Sequence, residues 1–267
     1  MKQRPGFPLK LDSVAQTRSN KVSTFPSWGL GGQQLSMNKL APSIIASGFG
    51  LDSEAVRANM VKKLVQAGLE DNMVLQALAT IPRHIFIDSA LANQAYEDTS
   101  LPIGFGQTIS KPNVVARMIE LLRQGRNLKI TGKLGRVLEI GTGCGYQAAV
   151  LSMVANEVYS IERIKGLYEK AKEHLRPMRL PNLHLILGDG MQGYSEGAPY
   201  AGIIAAAGGD NIPDDWIDQL DIGGRIVAPV VREDGQQSLV VVDKYKDRIE
   251  KNILENVMFV PLKPGVI

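Results

Sequence analysis

Residues Glu139–Tyr146 read EIGTGCGY, and the fold turns on how they are read. Just upstream, Arg136–Ile140 (RVLEI) is a short β-prone run; just downstream, Gln147–Val154 (QAAVLSMV) is helix-forming. A glycine-rich turn that leaves a strand and opens a helix is the setting a nucleotide-binding loop requires. Glycines let the backbone approach a ligand closely, and the helix start offers unpaired N–H groups. The spacing Gly141, Gly143, Gly145 is GxGxG and not the GxGxxG of the dinucleotide fingerprint, which argues against a nicotinamide-dependent dehydrogenase.

Outward from the loop the chain alternates. Glu157–Glu162 reads as a strand, Ile164–Leu175 as a helix, Leu183–Leu187 as a strand, Ala201–Ala206 as a strand, Pro213–Leu220 as a helix and Arg225–Val231 as a strand. That order predicts an α/β protein with a mostly parallel twisted sheet and helices on both faces. The end differs. Ser238–Asp243 and Arg248–Asn256 flank a polar turn and predict a C-terminal antiparallel hairpin, with Val257–Pro261 closing the sheet.

Upstream lies a helical part. Asp52 or Ser53 can cap a first helix whose apolar face is Val56, Met60, Val61, Leu64 and Val65, stopped at Gly68. A second helix runs from Asp71 to Pro82, followed by a short apolar element at His84–Ile87, and a third carries Val114, Val115, Met118, Ile119 and Leu122. Between them, Leu101–Asn113 (LPIGFGQTISKPN) reads as a polar loop. Ser110 there, before Lys111-Pro112 and a helix, is either a plain N-cap or part of a site.

Two further features fall at C-terminal strand ends, where open α/β sheets bind ligands. Glu162 ends the second strand, placed to accept hydrogen bonds from both hydroxyls of a ribose, and Gly188-Asp189-Gly190 follows the third. Singly, each can be a turn or a solvated carboxylate. In this order and setting they predict a bound adenosine cofactor.

Composition narrows the rest. The 267 residues suffice for one large domain with an appendage, and 30 basic against 27 acidic side chains give a net charge of +3, no sign of a nucleic-acid partner. The basic excess belongs to residues 1–50, with six basic and one acidic side chain, rich in Gly, Ser, Pro and Gln; they predict a flexible basic extension ahead of a domain over 51–267. Met37 leaves room for a later translation start. No apolar run approaches the ~20 residues of a membrane span, and no secretory core follows the first residues. The leader has a transit-peptide composition interrupted by prolines. A single cysteine, Cys144, permits no intrachain disulfide and suits a cytoplasmic protein. It reads as a packing residue, and the scattered His84, His174 and His184 as structural or surface residues; no metal site is expected.

EIGTGCG, a strand-terminal Glu and GDG together resemble the class I S-adenosylmethionine-dependent methyltransferases. The longer segments GFGQTISKPNVVARMIELL, LEIGTGCGYQAAVL, SIERIKGL, GDGMQGY, DQLDIGGRIVAPV and FVPL resemble the protein-L-isoaspartate O-methyltransferases, over roughly Ser53 to Ile267. That resemblance implies the Rossmann-like class I fold, with 51–125 forming the helical and active-site loop part and 126–267 the cofactor-binding sheet. It implies S-adenosyl-L-methionine as methyl donor and S-adenosyl-L-homocysteine as product. Cofactor contacts would come from Gln107, Thr108, Ile109, Glu139, Gly141, Gly143, Gly145, Glu162, Asp189 and Gly190, with Ser110 as the active-site residue. The implied acceptor is the α-carboxylate of an isoaspartyl residue in a damaged protein or peptide, methylated to start repair through a succinimide, by a monomer with no nucleic acid or membrane involved. The chain departs from the family pattern at PYAGIIAAAGGDNIP: Ala201 stands where an aspartate is usual, and Ala205–Gly209 replace the usual turn beside the acceptor. A different carboxylate or small-molecule acceptor is therefore the second reading, and a cofactor-binding module without catalysis the third.

Overall fold

The computed structural model describes residues 54–127 and 132–267; the basic extension and the expected cap at Asp52 or Ser53 lie outside them. Helix α1 (Glu54–Gln66) buries Met60 and Leu64. Val65, expected on that face, is 50% exposed, because only a narrow stripe of α1 meets the neighbouring helices. Gly68, at φ +97°, ends this turn as expected. Helix α2 (Asn72–Thr80) starts at Asp71, whose Oδ1 accepts from the N–H groups of Met73 and Val74. The other carboxylate oxygen takes the Arg123 Nε at 2.7 Å, tying α2 to helix α3 (Pro112–Arg123).

The polar loop of the sequence reading is partly a hairpin. Strands β1 (Leu101–Gly104) and β2 (Gln107–Ile109) pair antiparallel, Leu101 opposite Ile109. The turn between them holds three successive residues at positive φ, Gly104, Phe105 and Gly106. It was hidden in the sequence because its alternation lasts only two or three residues and its tip side chain is a phenylalanine in a conformation that favours glycine.

Seven further strands make one sheet. They are β3 (Leu134–Ile140), β4 (Ala155–Glu162), β5 (Leu183–Leu187), β6 (Tyr200–Ala205), β7 (Leu220–Val231), β8 (Gln237–Lys244) and β9 (Ile249–Val257), in the order β5-β4-β3-β6-β7-β8-β9. The first five in that order are parallel; β7-β8-β9 are antiparallel, which bears out the predicted C-terminal hairpin. Helices α4 (Tyr146–Val154), α5 (Lys165–Leu175) and α6 (Asp214–Gln219) follow β3, β4 and β6.

Alternate strand residues serve opposite faces, as the pleat requires. Val137, Val158, Ile204 and Val227 join the core beneath α1–α5. Leu138, Ile140, Ile161, Ile203 and Ile226 join a second core with Trp216 of α6. Strand order reverses at β3, which has β4 on one side and β6 on the other, so a crevice opens at the C-terminal ends of β3, β4 and β6.

One expected strand does not form. Val257–Pro261 leaves the sheet after Val257, and Pro261 makes only an isolated bridge to Gly208. The Gln237 side-chain amide holds Phe259 instead, accepting from its N–H at 2.7 Å and donating to its carbonyl at 3.0 Å. Gly208 bonds Val260 and Leu262 through its backbone. The segment is thereby steered across the ends of the strands.

Candidate active site

Gly141, Gly143 and Gly145 all sit at positive φ (91°, 58° and 93°), so three of the five loop positions from Gly141 need glycine. The loop N–H groups are largely committed to β4. Gly141 and Thr142 donate to the Ile161 carbonyl and Gly143 donates to Glu162 Oε2 at 2.8 Å. The glycines therefore give close approach of backbone, while the start of α4 provides the free N–H groups of a helix N-terminus.

Glu162 is 4% exposed, with Oε2 on Gly143 and Oε1 accepting from Ile164 N at 2.9 Å. Each oxygen keeps a lone pair for a further donor. Burial raises its pKa, opposed by the backbone donors of Ile164 and Gly143. Glu139 is fully buried behind the loop and outside the cavity wall. Ser160 Oγ donates to its Oε2, and Thr142 Oγ1 lies 2.6 Å from that same hydroxyl. Desolvation pushes the Glu139 carboxyl up to about 8. Through Ser160 it is linked to Thr142 of the glycine loop.

A cavity of about 460 Å³, in the size range of cofactor sites, opens at the crevice. Gln107, Thr108, Ile109 and Ser110 line it together with Gly141, Gly143, Glu162 and Gly190. Gly145 and Asp189 do not line it. Gly145 starts α4 against Leu175, and Asp189 accepts from Met191 N and, at 2.7 Å, from Gly265 N. The apolar walls include Ile103, Ile140, Ile161, Ile164, Leu167 and Leu262. Apolar walls for an aromatic base, one carboxylate with a spare lone pair on each oxygen and a helix N-terminus fit an adenosine cofactor with an amino-acid end.

Two elements close this cavity: the tip of the hairpin within Leu101–Asn113, a stretch that the family resemblance placed at the site, and the segment 260–267, to which the sequence reading gave no site role. From one side comes the hairpin tip, where Phe105 lies on Gly166 at the start of α5 and Lys170 Nζ donates to the Ile103 carbonyl at 2.8 Å. From the other comes the segment 260–267, held by Arg163 on the carbonyls of Pro264 and Gly265 and by backbone bonds between Ile267 and both Arg163 and Lys165. Neither had a periodic signal, since both act through backbone bonds.

A second cavity of about 380 Å³ shares Thr108, Ser110, Ala206 and Val260 with the first. Lys111 is its one charged lining residue, and Ala206 belongs to the altered turn after β6. Ser110 is not the cap of α3. The cap position is Lys111, and the Asn113 N–H is satisfied from outside by Asp98 Oδ1 at 2.9 Å. Ser110 lines both cavities, and its hydroxyl has no hydrogen-bond partner among the described residues. Cys144 is buried, and burial raises its thiol to about 11, consistent with packing. His84 meets the Tyr96 hydroxyl, His174 the Cys144 carbonyl, and His184 the Glu157 carboxylate at 3.6 Å, all structural contacts. Among the described residues no group of histidine, cysteine and carboxylate side chains could hold a metal.

A parallel sheet with its glycine loop at the switch point, an acid at the end of the next strand and a final antiparallel pair define the Rossmann-like class I methyltransferase fold. Residues 55–266 match the family model of protein-L-isoaspartate(D-aspartate) O-methyltransferase (PCMT), and the chain belongs to that family. It is 50% identical to the protein-L-isoaspartate O-methyltransferase of Methylibium petroleiphilum over 265 residues, 98% of this chain and 96% of the relative. It is 56% identical to that of Burkholderia cenocepacia over 224 residues, covering 83% and 70%. A solved protein-L-isoaspartate O-methyltransferase superposes with a TM-score of 0.70 at 28% identity, over 79% of this chain and 67% of the other. A Plasmodium falciparum protein assigned to the same activity, in complex with S-adenosyl-L-homocysteine, gives 0.66 at 25% identity, over 78% and 98%. The Methylibium match takes in most of residues 1–50, so that relative has residues aligned with this segment.

Proposed function

We propose that this chain transfers the methyl group of S-adenosyl-L-methionine to the α-carboxylate of L-isoaspartyl residues in damaged proteins and peptides. The observation that supports the reading is Ser110, whose hydroxyl caps no helix and has no hydrogen-bond partner among the described residues, in the wall shared by a cofactor-sized cavity and a second cavity that could take an acceptor. The bound donor supplies an electrophilic methyl group on a sulfonium. A carboxylate of pKa ~4 is ionised at neutral pH and needs no general base. The protein's task is placement, which can supply about 7–11 kcal/mol of such a barrier. In this reading Glu162 holds the ribose hydroxyls and the start of α4 receives the amino-acid end. Gln107, Thr108 and Ile109 line the donor side, and the Ser110 hydroxyl donates to the acceptor carboxylate. The hairpin tip and the segment 260–267 exclude water. Methoxide leaves the ester carbonyl far more readily than oxide leaves a carboxylate, so the next backbone nitrogen attacks that carbonyl and closes a succinimide with loss of methanol, and hydrolysis of the ring returns some normal aspartate.

The same reading places Glu139 and Gly145 in support of the loop, Asp189 beside the adenine end, and Gly190 in the wall. It assigns residues 51–125 to the helical and loop part and 126–267 to the cofactor-binding sheet, and has a monomer acting in the cytoplasm without nucleic acid. Among the described residues no helix is long and apolar enough to cross a membrane. Repeated methylation of an isoaspartyl peptide, followed by chromatography, tests the proposal. The isoaspartyl peak should shrink while the aspartyl peak grows; a constant isoaspartyl peak with donor bound would overturn it.

A further inference from the structure

Arg83 has no exposed surface and belongs to neither cavity wall. A buried guanidinium must spend its donors well, because an unpaired charge in the interior is costly. No carboxylate pairs with it among the described residues; it is spent on backbone and on an aromatic face. Nε donates to the Ala95 carbonyl at 2.8 Å and Nη2 donates to the Ser110 carbonyl at 2.7 Å. Its central carbon lies 4.8 Å from the centroid of the Tyr146 ring, and Nη1 has no hydrogen-bond partner. One side chain thus touches the turn before the hairpin, the backbone of Ser110 and the first residue of α4, which lines the donor cavity.

We propose that Arg83 is a positioning residue for the methyl transfer: it fixes the Ser110 peptide plane relative to Tyr146, and so fixes the Ser110 hydroxyl relative to the donor. The inference rests on the methyltransferase reading above. Ser110 follows strand β2, where Ile109 pairs with Leu101, and precedes Lys111, which is held extended (φ −54°, ψ 144°) by Pro112. With its carbonyl clamped as well, the serine keeps little freedom beyond rotation of its own hydroxymethyl group. The requirement is for arginine. A rigid fork reaches two carbonyls at once while its face stacks on a ring, and a lysine ammonium can do only part of this.

The test uses the full chain, with calorimetry for donor affinity and initial rates on an isoaspartyl peptide. Arg83→Ala should lower kcat on the order of 10²-fold, the penalty of a small misplacement, with the donor Kd almost unchanged. Arg83→Lys, which keeps charge and one bond, should fall between. Guanidinium at a non-denaturing concentration should restore turnover to Arg83→Ala, and tetramethylammonium should not. In a Ser110→Ala background the same substitution should add little, as expected of residues acting as one unit. Normal turnover by Arg83→Ala, equal losses of donor affinity and turnover, failure of guanidinium to rescue a folded variant, or additive losses with Ser110→Ala would each overturn the assignment. Absence of transfer by the unmodified chain would instead overturn the function on which it rests.

Discussion

Ser110 and Glu162 divide the proposed site between acceptor and donor, and their variants should separate accordingly. Ser110→Ala removes a hydroxyl that no backbone group uses, so kcat should fall by about 10²-fold, the usual loss for one oriented donor, with donor affinity retained. A near-silent variant in steady-state assays would remove Ser110 from the chemistry. Glu162→Ala should raise the donor Kd tenfold or more, since hydrogen bonds to a charged group contribute about 1.5–3 kcal/mol. Glu139 makes a prediction in pH. Its folded pKa is raised from the usual 4.5 to about 8 by burial, so the neutral carboxyl is the form the fold favours. That contribution is fully present below about pH 4.5 and is lost as pH rises through about 8. Glu139→Gln should therefore flatten the fall in thermal stability between pH 5 and 8; an unchanged slope would show that the carboxyl is not held neutral. The glycines and carboxylates were legible in the sequence because their chemistry needs those residue types after strands. Arg83 was not, since an arginine in a polar turn looks like a surface residue until its carbonyl acceptors come from residues 12 and 27 positions away.

Elements were legible wherever hydrophobic period was strong. Helix α3 and strands β3, β4 and β8 fall within two residues of expectation because each buries a regular apolar set, and β5 matches Leu183–Leu187 although its apolar residues are only partly buried. Strand β7 begins five residues earlier than Arg225, where Gly223 and Gly224 interrupt the apolar run. The hairpin was read as a loop and Val257–Pro261 as a strand because the backbone bonds that order them leave no periodic apolar pattern. The hairpin carries its own prediction. Phe105 is a non-glycine residue at φ +54°, a conformation costing on the order of 1 kcal/mol, and it rests on Gly166, where an added Cβ would come within 2.1 Å of the ring. Gly166→Ala should lift the ring from α5. The result should be weaker donor binding and faster amide exchange at Gly104–Gly106 with little change in Tm; unaltered affinity would show that the tip does not close the cavity.

At the scale of the molecule, the parallel order followed by an antiparallel pair was readable because alternating strands and helices leave few other topologies. The position of the site followed from it, at the reversal of strand order beside β3. The departures at Ala201 and Ala205–Gly209 were visible in the sequence and pointed to the acceptor side, but their unequal placement was not. Ala201 packs toward Gly135, away from both cavities, whereas Ala206 lies on the wall they share and Gly208 carries the closing segment across the site. The replaced turn, not Ala201, is therefore where a changed acceptor preference would arise. The most direct measurement is transfer of a radiolabelled methyl group from S-adenosylmethionine to a pair of peptides that differ only in carrying isoaspartate or aspartate. The account predicts base-labile label on the isoaspartyl peptide alone; label on both peptides, or on neither while the donor binds, would contradict it.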